Sequence, residues 1–306
     1  MSNTYKIESI SASFEMIGLP KPQHPLISLI NTASIKIDLD KIPSPHVLAF
    51  YKISYRAKIS GRMRYGQGFY DFDEGGLMFA QPNQVVGKAD DVQLRTEEAL
   101  AGYTLLIHPD FFLGYSLARK IKQYGFFSYD VHEALHLSEK EKATIVSIFT
   151  IIEDELNNRI DDFSQDVLIA QIELLLNYAN RFYKRQFITR KIVSNDLLQK
   201  METVLDNYFN DEKSLQQGIP TVQYLATQLN ISASYLSDML RSLTGQNAQQ
   251  LIHHKLVEKA KEILSTSNAS VAEVAYQLGF EHPQSFSRLF KTKTNQSPLE
   301  FRSAFN

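Results

Sequence analysis

The sequence predicts a multidomain α+β chain, with an N-terminal antiparallel β-barrel, a helical hairpin and a C-terminal all-α domain carrying two helix-turn-helix units. Three observations carry that expectation. Short, alternating, aromatic-rich stretches fill the region from Leu26 to Leu106. Helical spacing replaces them from Phe112 onward, and between Thr221 and Phe305 one helix-turn-helix pattern is written twice. The 306 residues are 43% hydrophobic, enough for two or three ordinary cores. The expected divisions are 1–118 for the strand domain, 119–192 for the hairpin and linker, and 193–306 for the helical domain.

In the first region Ser34-Ile35-Lys36-Ile37-Asp38-Leu39, Leu48-Ala49-Phe50-Tyr51-Lys52-Ile53 and Gly102-Tyr103-Thr104-Leu105-Leu106-Ile107 have the pattern of short strands. Pro43-Ser44-Pro45 and Gly75-Gly76 punctuate them. Regular short strands of this kind read as an antiparallel barrel or sandwich. Such a barrel either encloses a small ligand among aromatic walls or packs those aromatics as plain core. On the first reading Tyr51, Tyr55, Tyr65, Tyr70 and Phe72 line the cavity, and Arg62 and Arg64 suit an anionic group. On the second, the arginines are an exposed strand edge. His24, His46 and His108 are isolated, each near a proline in an expected loop, so no metal site is expected. Asp71, Asp73 and Glu74 read as a solvated turn. No Ser-His-Asp or paired-carboxylate arrangement marks a catalytic centre.

His108-Pro109-Asp110 closes the strand region, and Phe112, Tyr115 and Leu117 begin helical spacing. Ser138-Glu139-Lys140-Glu141 is a capping box. Behind it, Ile145, Phe149, Ile152 and Leu156 form the stripe of an amphipathic helix. Asp161-Asp162 ends that helix, and Leu168, Ile172, Leu175, Ala179 and Phe182 continue in a second, antiparallel one. Ile148, Leu174 and Leu176 lie off the main stripe, which favours a dimer surface over a solvated one. Arg181 to Lys191 is basic and bridges to the helical domain; it reads as a solvated linker, with contact to phosphate the alternative. Ser194 then opens a helix with Leu198, Met201, Leu205 and Tyr208 on one face.

The duplication that follows is ordered. Ala226, Leu229, Asn230 and Ile231 lead into Tyr235, Leu236, Met239 and Leu240; Ala275, Leu278, Gly279 and Phe280 lead into Ser285, Phe286, Leu289 and Phe290. Ala226 to Ala275 spans 49 residues and Leu236 to Phe286 spans 50, so the second turn holds one extra residue. A small Ala lets the next helix cross closely. Asn230 and Gly279 stand where the first helix must stop, and both residue types accept a left-handed backbone. Ser232 is the expected N-cap of the second helix in copy one, and Ser270 with Glu273 is a capping box opening copy two. Leu236 and Leu240, and Phe286 and Phe290, mark the buried stripes. The opposite faces carry Ala233, Ser234, Ser237, Asp238 and Arg241, and Gln284, Ser287, Arg288 and Lys291. Short polar and basic side chains on a protruding helix suit a DNA major groove.

The segment Leu251–Ala260, the run Ala272-Glu273-Val274-Ala275-Tyr276-Gln277-Leu278-Gly279-Phe280, then Ser285-Phe286-Ser287-Arg288-Leu289-Phe290-Lys291 and Ser297-Pro298, resembles the DNA-binding domain of AraC-family transcription regulators. The resemblance covers about the last third of the chain. It implies a long linker helix, about Ala248 to Leu264, that joins two helix-turn-helix units whose recognition helices enter successive major grooves ~34 Å apart. It also implies base-edge readout at Ser234, Ser237 and Asp238 in one helix and at Gln284, Ser287 and Arg288 in the other, with Ser285 beside them. Arg288 would fork onto guanine, Gln284 would pair with adenine, and Asp238 would accept from cytosine. Arg241, Lys291 and Lys293 would hold phosphates. Asp238 stands where many relatives have a basic residue; it either orients Arg241 or repels phosphate. The stretch Asp71-Phe72-Asp73-Glu74-Gly75-Gly76-Leu77-Met78-Phe79-Ala80-Gln81-Pro82 looks like the strand-turn-strand of the cupin-like sensor domains attached to many family members. Cupin enzymes hold a metal with His-x-His and a following Glu, and this sequence lacks that pattern.

Composition alone excludes several classes and names none. Lys and Arg total 32 against 34 Asp and Glu, for a net charge of −2, so any pull on phosphate is local. With no Cys, disulfides, thiolate nucleophiles and Cys-based metal sites are excluded. MSNTYKIESI lacks a basic-then-apolar leader, and no apolar run reaches ~18–20 residues, so a soluble cytoplasmic protein is expected. The combined expectation is a non-enzymatic, sequence-specific regulator without cofactor. Its expected partners are double-stranded DNA and a second copy of itself, with RNA polymerase and a small-molecule effector admitted by the resemblance. The rival readings are a cupin-type enzyme whose helical domain docks a partner, and a DNA-bound structural protein without a sensor.

Overall fold

The computed structural model describes residues 5–32, 35, 46–57, 62–65, 68–71, 75–86, 101–130, 133–158, 163–189 and 191–304, with backbone alone for 62–65, 68–71 and 191–195. The chain divides into two compact units, Met1–Gln186 and Phe187–Asn306. The helices expected to form a separate hairpin domain fall within the first unit.

That unit is built on strands β1 (Tyr5–Ile7), β2 (Ile27–Asn31), β3 (His46–Leu48), β4 (Tyr51–Arg56), β5 (Arg62–Tyr65), β6 (Gly68–Asp71), β7 (Gly76–Ala80), β8 (Val85–Val86), β9 (Gly102–Ile107) and β10 (Leu135–His136). Five of them make an antiparallel sheet in the order β10-β7-β4-β9-β2. β1, β3 and β8 make a smaller sheet, with β1 and β3 parallel, and β5 pairs with β6. The described strands are mixed with helix and show sheets rather than a closed barrel. His46 lies buried in β3, not in a loop as its neighbouring proline suggested. The run Leu48–Ile53 is likewise two strands, broken by a bend at Ala49 and Phe50. Most of Ser34–Leu39, Pro43-Ser44-Pro45, Phe72-Asp73-Glu74 and Asp161-Asp162 lie outside the described residues.

Alternation along β4 sends Tyr51, Ile53 and Tyr55 to one face and Lys52, Ser54 and Arg56 to the other. The first face meets the third and fourth of the unit's α-helices, whereas the first of them packs with Ile30 and Leu106 on the other face. The unit's helices are α1 (Ile10–Met16), α2 (Leu117–Lys120), α3 (Glu139–Asn157) and α4 (Ser164–Thr189), the last ending past the unit boundary. Phe149 of α3 stacks on Tyr103 at 5.3 Å, Tyr51 meets the edges of Phe112 and Phe127, and Phe79 packs on Phe126. The capping box at the start of α3 is present, with the Ser138 amide donating to Glu141 at 2.8 Å. The same carboxylate receives Arg185 of α4 at 2.6 Å, so part of the basic segment serves the fold. Ile148 and Leu176 are interior residues, at 3% and 0% exposure. Their helices bury more than the single stripe the spacing marked, so of the three residues expected at a dimer surface only Leu174 is exposed.

The second unit is all helix in its described residues. It contains α5 (Lys191–Asn210), α6 (Lys213–Gln217), α7 (Val222–Leu229), α8 (Ala233–Thr244), α9 (Ala248–Thr266), α10 (Val271–Gln277), α11 (Pro283–Thr294) and α12 (Pro298–Ser303). α5 begins three residues before Ser194, the expected start, and buries Met201, Leu205 and Tyr208 as the spacing required. α9 buries Ala248, Ile252, Leu256, Val257, Ala260 and Leu264, and packs on α7, α8, α10, α11 and α12.

Candidate nucleic-acid interface

Each copy is built by the same local chemistry. Thr221 opens α7 by accepting the Tyr224 amide at 3.1 Å. Asn230 ends it in the left-handed region at φ 57°, and the Ile231 amide reaches back to the Ala226 carbonyl at 3.0 Å. In copy two Ser270 and Glu273 bond reciprocally at 2.6 and 3.2 Å, which holds the Glu273 carboxyl below its ordinary range. Gly279 then turns at φ 87°, and the Phe280 amide reaches the Ala275 carbonyl at 3.0 Å. Ala226 and Ala275 are both fully buried, leaving room for the crossing helix.

The second helices are anchored on their apolar stripes. Leu236 and Leu240 are fully buried in copy one, and in copy two Phe280, Phe286 and Phe290 form a row with ring centroids 5.4 and 5.8 Å apart. Ser232 caps α8 by accepting the Tyr235 amide at 3.1 Å. α11 has His282 at its N-cap with no side-chain bond and Pro283 at its first position, whose fixed φ already suits a helix start. Both helices end alike. Thr244 and Thr294 each return their hydroxyl to the carbonyl four residues back at 2.8 Å, and Gly245 and Asn295 take the left-handed position.

With the stripes buried, the other sides are set. On α11, Gln284, Ser285, Arg288, Lys291 and Lys293 are exposed and Ser287 is half-buried. On α8, Ser234, Ser237 and Asp238 are half-buried and Arg241 is exposed. Asp238 pairs with Arg241 at 3.1 Å. Tyr235, which corresponds to Ser285, is buried at 2% and meets Phe187 edge-on at 5.1 Å. A helix-turn-helix family model matches residues 225–304, across both copies. Residues 225–304 thus carry an AraC-type helix-turn-helix domain.

Relatives of this AraC-type domain include an HTH-type transcriptional regulator of Pseudoalteromonas carrageenovora, 31% identical over 119 residues that are 39% of this chain and 63% of the relative. The transcriptional activator RhaS of Escherichia coli is 28% identical over 150 residues, 49% of each chain. The chain therefore spans less than two thirds of either relative. Among solved structures, the C-terminal domain of the two-component response regulator YesN of Fusobacterium nucleatum has 30% identity, covering 33% of this chain and 96% of that one, with a TM-score of 0.29.

The residues considered as ligand contacts in the first unit divide. Tyr51 and Tyr55 are buried on the face that meets α3 and α4, where Tyr55 lies 6.4 Å from Phe149. Arg62, Arg64 and Tyr65 stand in β5 with side chains outside the described set, and Phe72 lies outside the described residues altogether. The other face holds what aromatic counting overlooked. Arg56, Ser54 and Thr104 are buried there, and Arg56 donates to Thr104 at 3.2 Å. Lys52 is half-buried; burial, and then the charge of Arg56, push its ammonium down to about 8. Burial also lowers Arg56 to about 10. Among the described residues no carboxylate pairs with either cation. The alternation Lys52, Ser54, Arg56 was the available signal. Among the described residues no His, Asp and Glu group could hold a metal, and no helix is long and apolar enough to cross a membrane.

Proposed function

We propose that the chain is a sequence-specific transcription regulator that inserts α8 and α11 into adjacent major grooves of a DNA duplex. The observation that carries this reading is the outer side of α11, where Gln284, Ser285, Arg288 and Lys291 stand exposed around a rigid aromatic stripe. Arg288 forks onto guanine O6 and N7, Gln284 pairs with adenine, and Ser285 and Ser287 donate or accept beside them. Ser234 and Ser237 are the corresponding readers of α8, and Asp238 orients Arg241 beside them. Arg241, Lys291 and Lys293 bind phosphate. Catalysis has no part in this reading, and such a regulator works in the cytoplasm as a homodimer that meets RNA polymerase. Selection of duplexes from a random pool tests it. Enrichment of a two-part site whose binding weakens as salt rises is the expected result, and failure to enrich any duplex would sink the proposal.

The cupin-like N-terminal unit serves as a sensor in the same reading, gated by a small molecule. What supports an anionic effector is the pair Lys52 and Arg56, two cations on one sheet face whose mutual repulsion and desolvation an anion would relieve. The sign is fixed by linkage. The folded state releases the Lys52 proton near 8 and the unfolded chain near 10.5, so stability rises with pH across that window. Lys52→Met is expected to remove this rise and to stabilise the protein at neutral pH by about 1–2 kcal/mol. In thermal-shift measurements, small carboxylates or inorganic phosphate should raise the melting temperature of the parent chain and leave that of Lys52→Met unmoved. Absence of any shift with the parent chain removes the anionic effector.

A further inference from the structure

Asn230 and Gly279 do the same local work, yet their surroundings differ. Asn230 has an exposed side chain at φ 57°. A Cβ placed on Gly279 would lie 2.6 Å from the Gly218 carbonyl oxygen and 2.8 Å from the Ile219 nitrogen. Both neighbours are backbone, so neither can swing aside. The second copy therefore needs glycine for a reason the first lacks: another stretch of backbone lies against its turn.

That stretch belongs to the side of copy one. The Tyr208 hydroxyl of α5 donates to the Gly218 carbonyl at 2.9 Å, and the Tyr208 ring meets Tyr224 of α7 at 4.9 Å. One turn earlier, Ser214 of α6 is buried and donates its hydroxyl to the Gln277 carbonyl at 2.6 Å. Gln277 is the last residue of α10, so Ser214 satisfies a carbonyl that the helix end leaves without an internal partner. Glu212, just before α6, sits at φ 54°, where glutamate is uncommon, and Gly218 follows at φ 78°. Two left-handed residues thus bracket five helical ones and set them against the turn of the other copy.

We infer that α6 and Gly218 form a clasp that fixes the spacing and relative orientation of α8 and α11, and so sets the separation of the two half-sites the protein accepts. The inference rests on the DNA-binding reading above. α9 already joins the copies, but two bodies joined through one element can twist about it. The clasp is a direct tie between the copies that does not run through α9. Ser214, Gly218 and Gly279 are positioning residues in this scheme and touch no base.

The difference between the copies supplies the test. Gly279→Asn places in copy two the residue that already makes this turn in copy one, so the left-handed stop survives while the clasp is forced open. Asn230→Gly is the reciprocal control, and Ser214→Ala loosens the clasp without touching the turn. Each full-length variant is melted to show that it folds, then used to select duplexes from a random pool. The parent and Asn230→Gly should enrich two half-sites at one fixed separation. Gly279→Asn should enrich the same half-sites at several separations and bind the parent's site roughly 10-fold more weakly, because the second contact loses effective concentration. Ser214→Ala should broaden the separations less. One unchanged separation in both folded clasp variants overturns the clasp while leaving DNA binding intact. Enrichment of no duplex by the parent chain sinks the DNA reading and the spacing role with it. Should Gly279→Asn fail to fold, Ser214→Ala decides.

Discussion

The two helix-turn-helix copies share their skeleton and differ on the side that faces outward. α11 carries Arg288, Lys291 and Lys293 with no acid, whereas α8 carries Arg241 opposed by Asp238. Asp238 and Arg288 occupy corresponding positions, so the charge is reversed at the centre of the face. Tyr235 is folded inward against Phe187 where its counterpart Ser285 is exposed. A duplicated unit can thus keep its turn, caps and apolar stripe, which its own stability demands, while the outer residues diverge. On the DNA-binding reading proposed above, the second copy is the one equipped to grip a polyanion, and the first would add contacts with little net attraction.

Substitutions can break that contrast or sharpen it. The largest effect is expected from Arg288→Ala, which should cost ~1–3 kcal/mol at the preferred site and relax one base preference in a binding selection. An unchanged preference would remove its reading role. Lys291→Ala should weaken all sequences alike by about 1 kcal/mol and lower the slope of log K against log salt by roughly 0.9. Arg241→Ala, already engaged by Asp238, should change that slope less. Ser232→Ala should lower stability by about 1 kcal/mol through the lost N-cap, while His282→Ala, which removes no cap bond, should leave the melting temperature nearly unchanged. The smallest effect is a gain. Asp238→Ala frees Arg241 and should tighten binding by about 0.5 kcal/mol in a low-salt titration; weaker binding would instead make Asp238 a reader of cytosine.

What the sequence revealed here was local, and what it hid was distant. Caps at Ser232, Ser270 and Ser138, the stops at Asn230 and Gly279, and the Phe286–Phe290 stripe depend on residues within a few positions of each other, so their pattern survives in one dimension. The contact of Gly218 with Gly279 joins residues 61 apart, and nothing in either neighbourhood announces the other. Burial of Ile148 and Leu176 was missed because a helix enclosed on more than one side has no single stripe. In the strand region, alternation along β4 divides Tyr51 and Tyr55 from Lys52 and Arg56, a signal that counting aromatics passed over. Which side took the aromatic cover depended on Phe149, Phe112 and Phe127, far along the chain.

The opposite charges at Asp238 and Arg288 have a consequence for how the duplex itself is used. Unlike ends give a bound site a head and a tail. On the DNA-binding reading, flipping the operator end for end would put the charge-balanced helix where the basic one is wanted, so each bound chain would point one way along the chromosome.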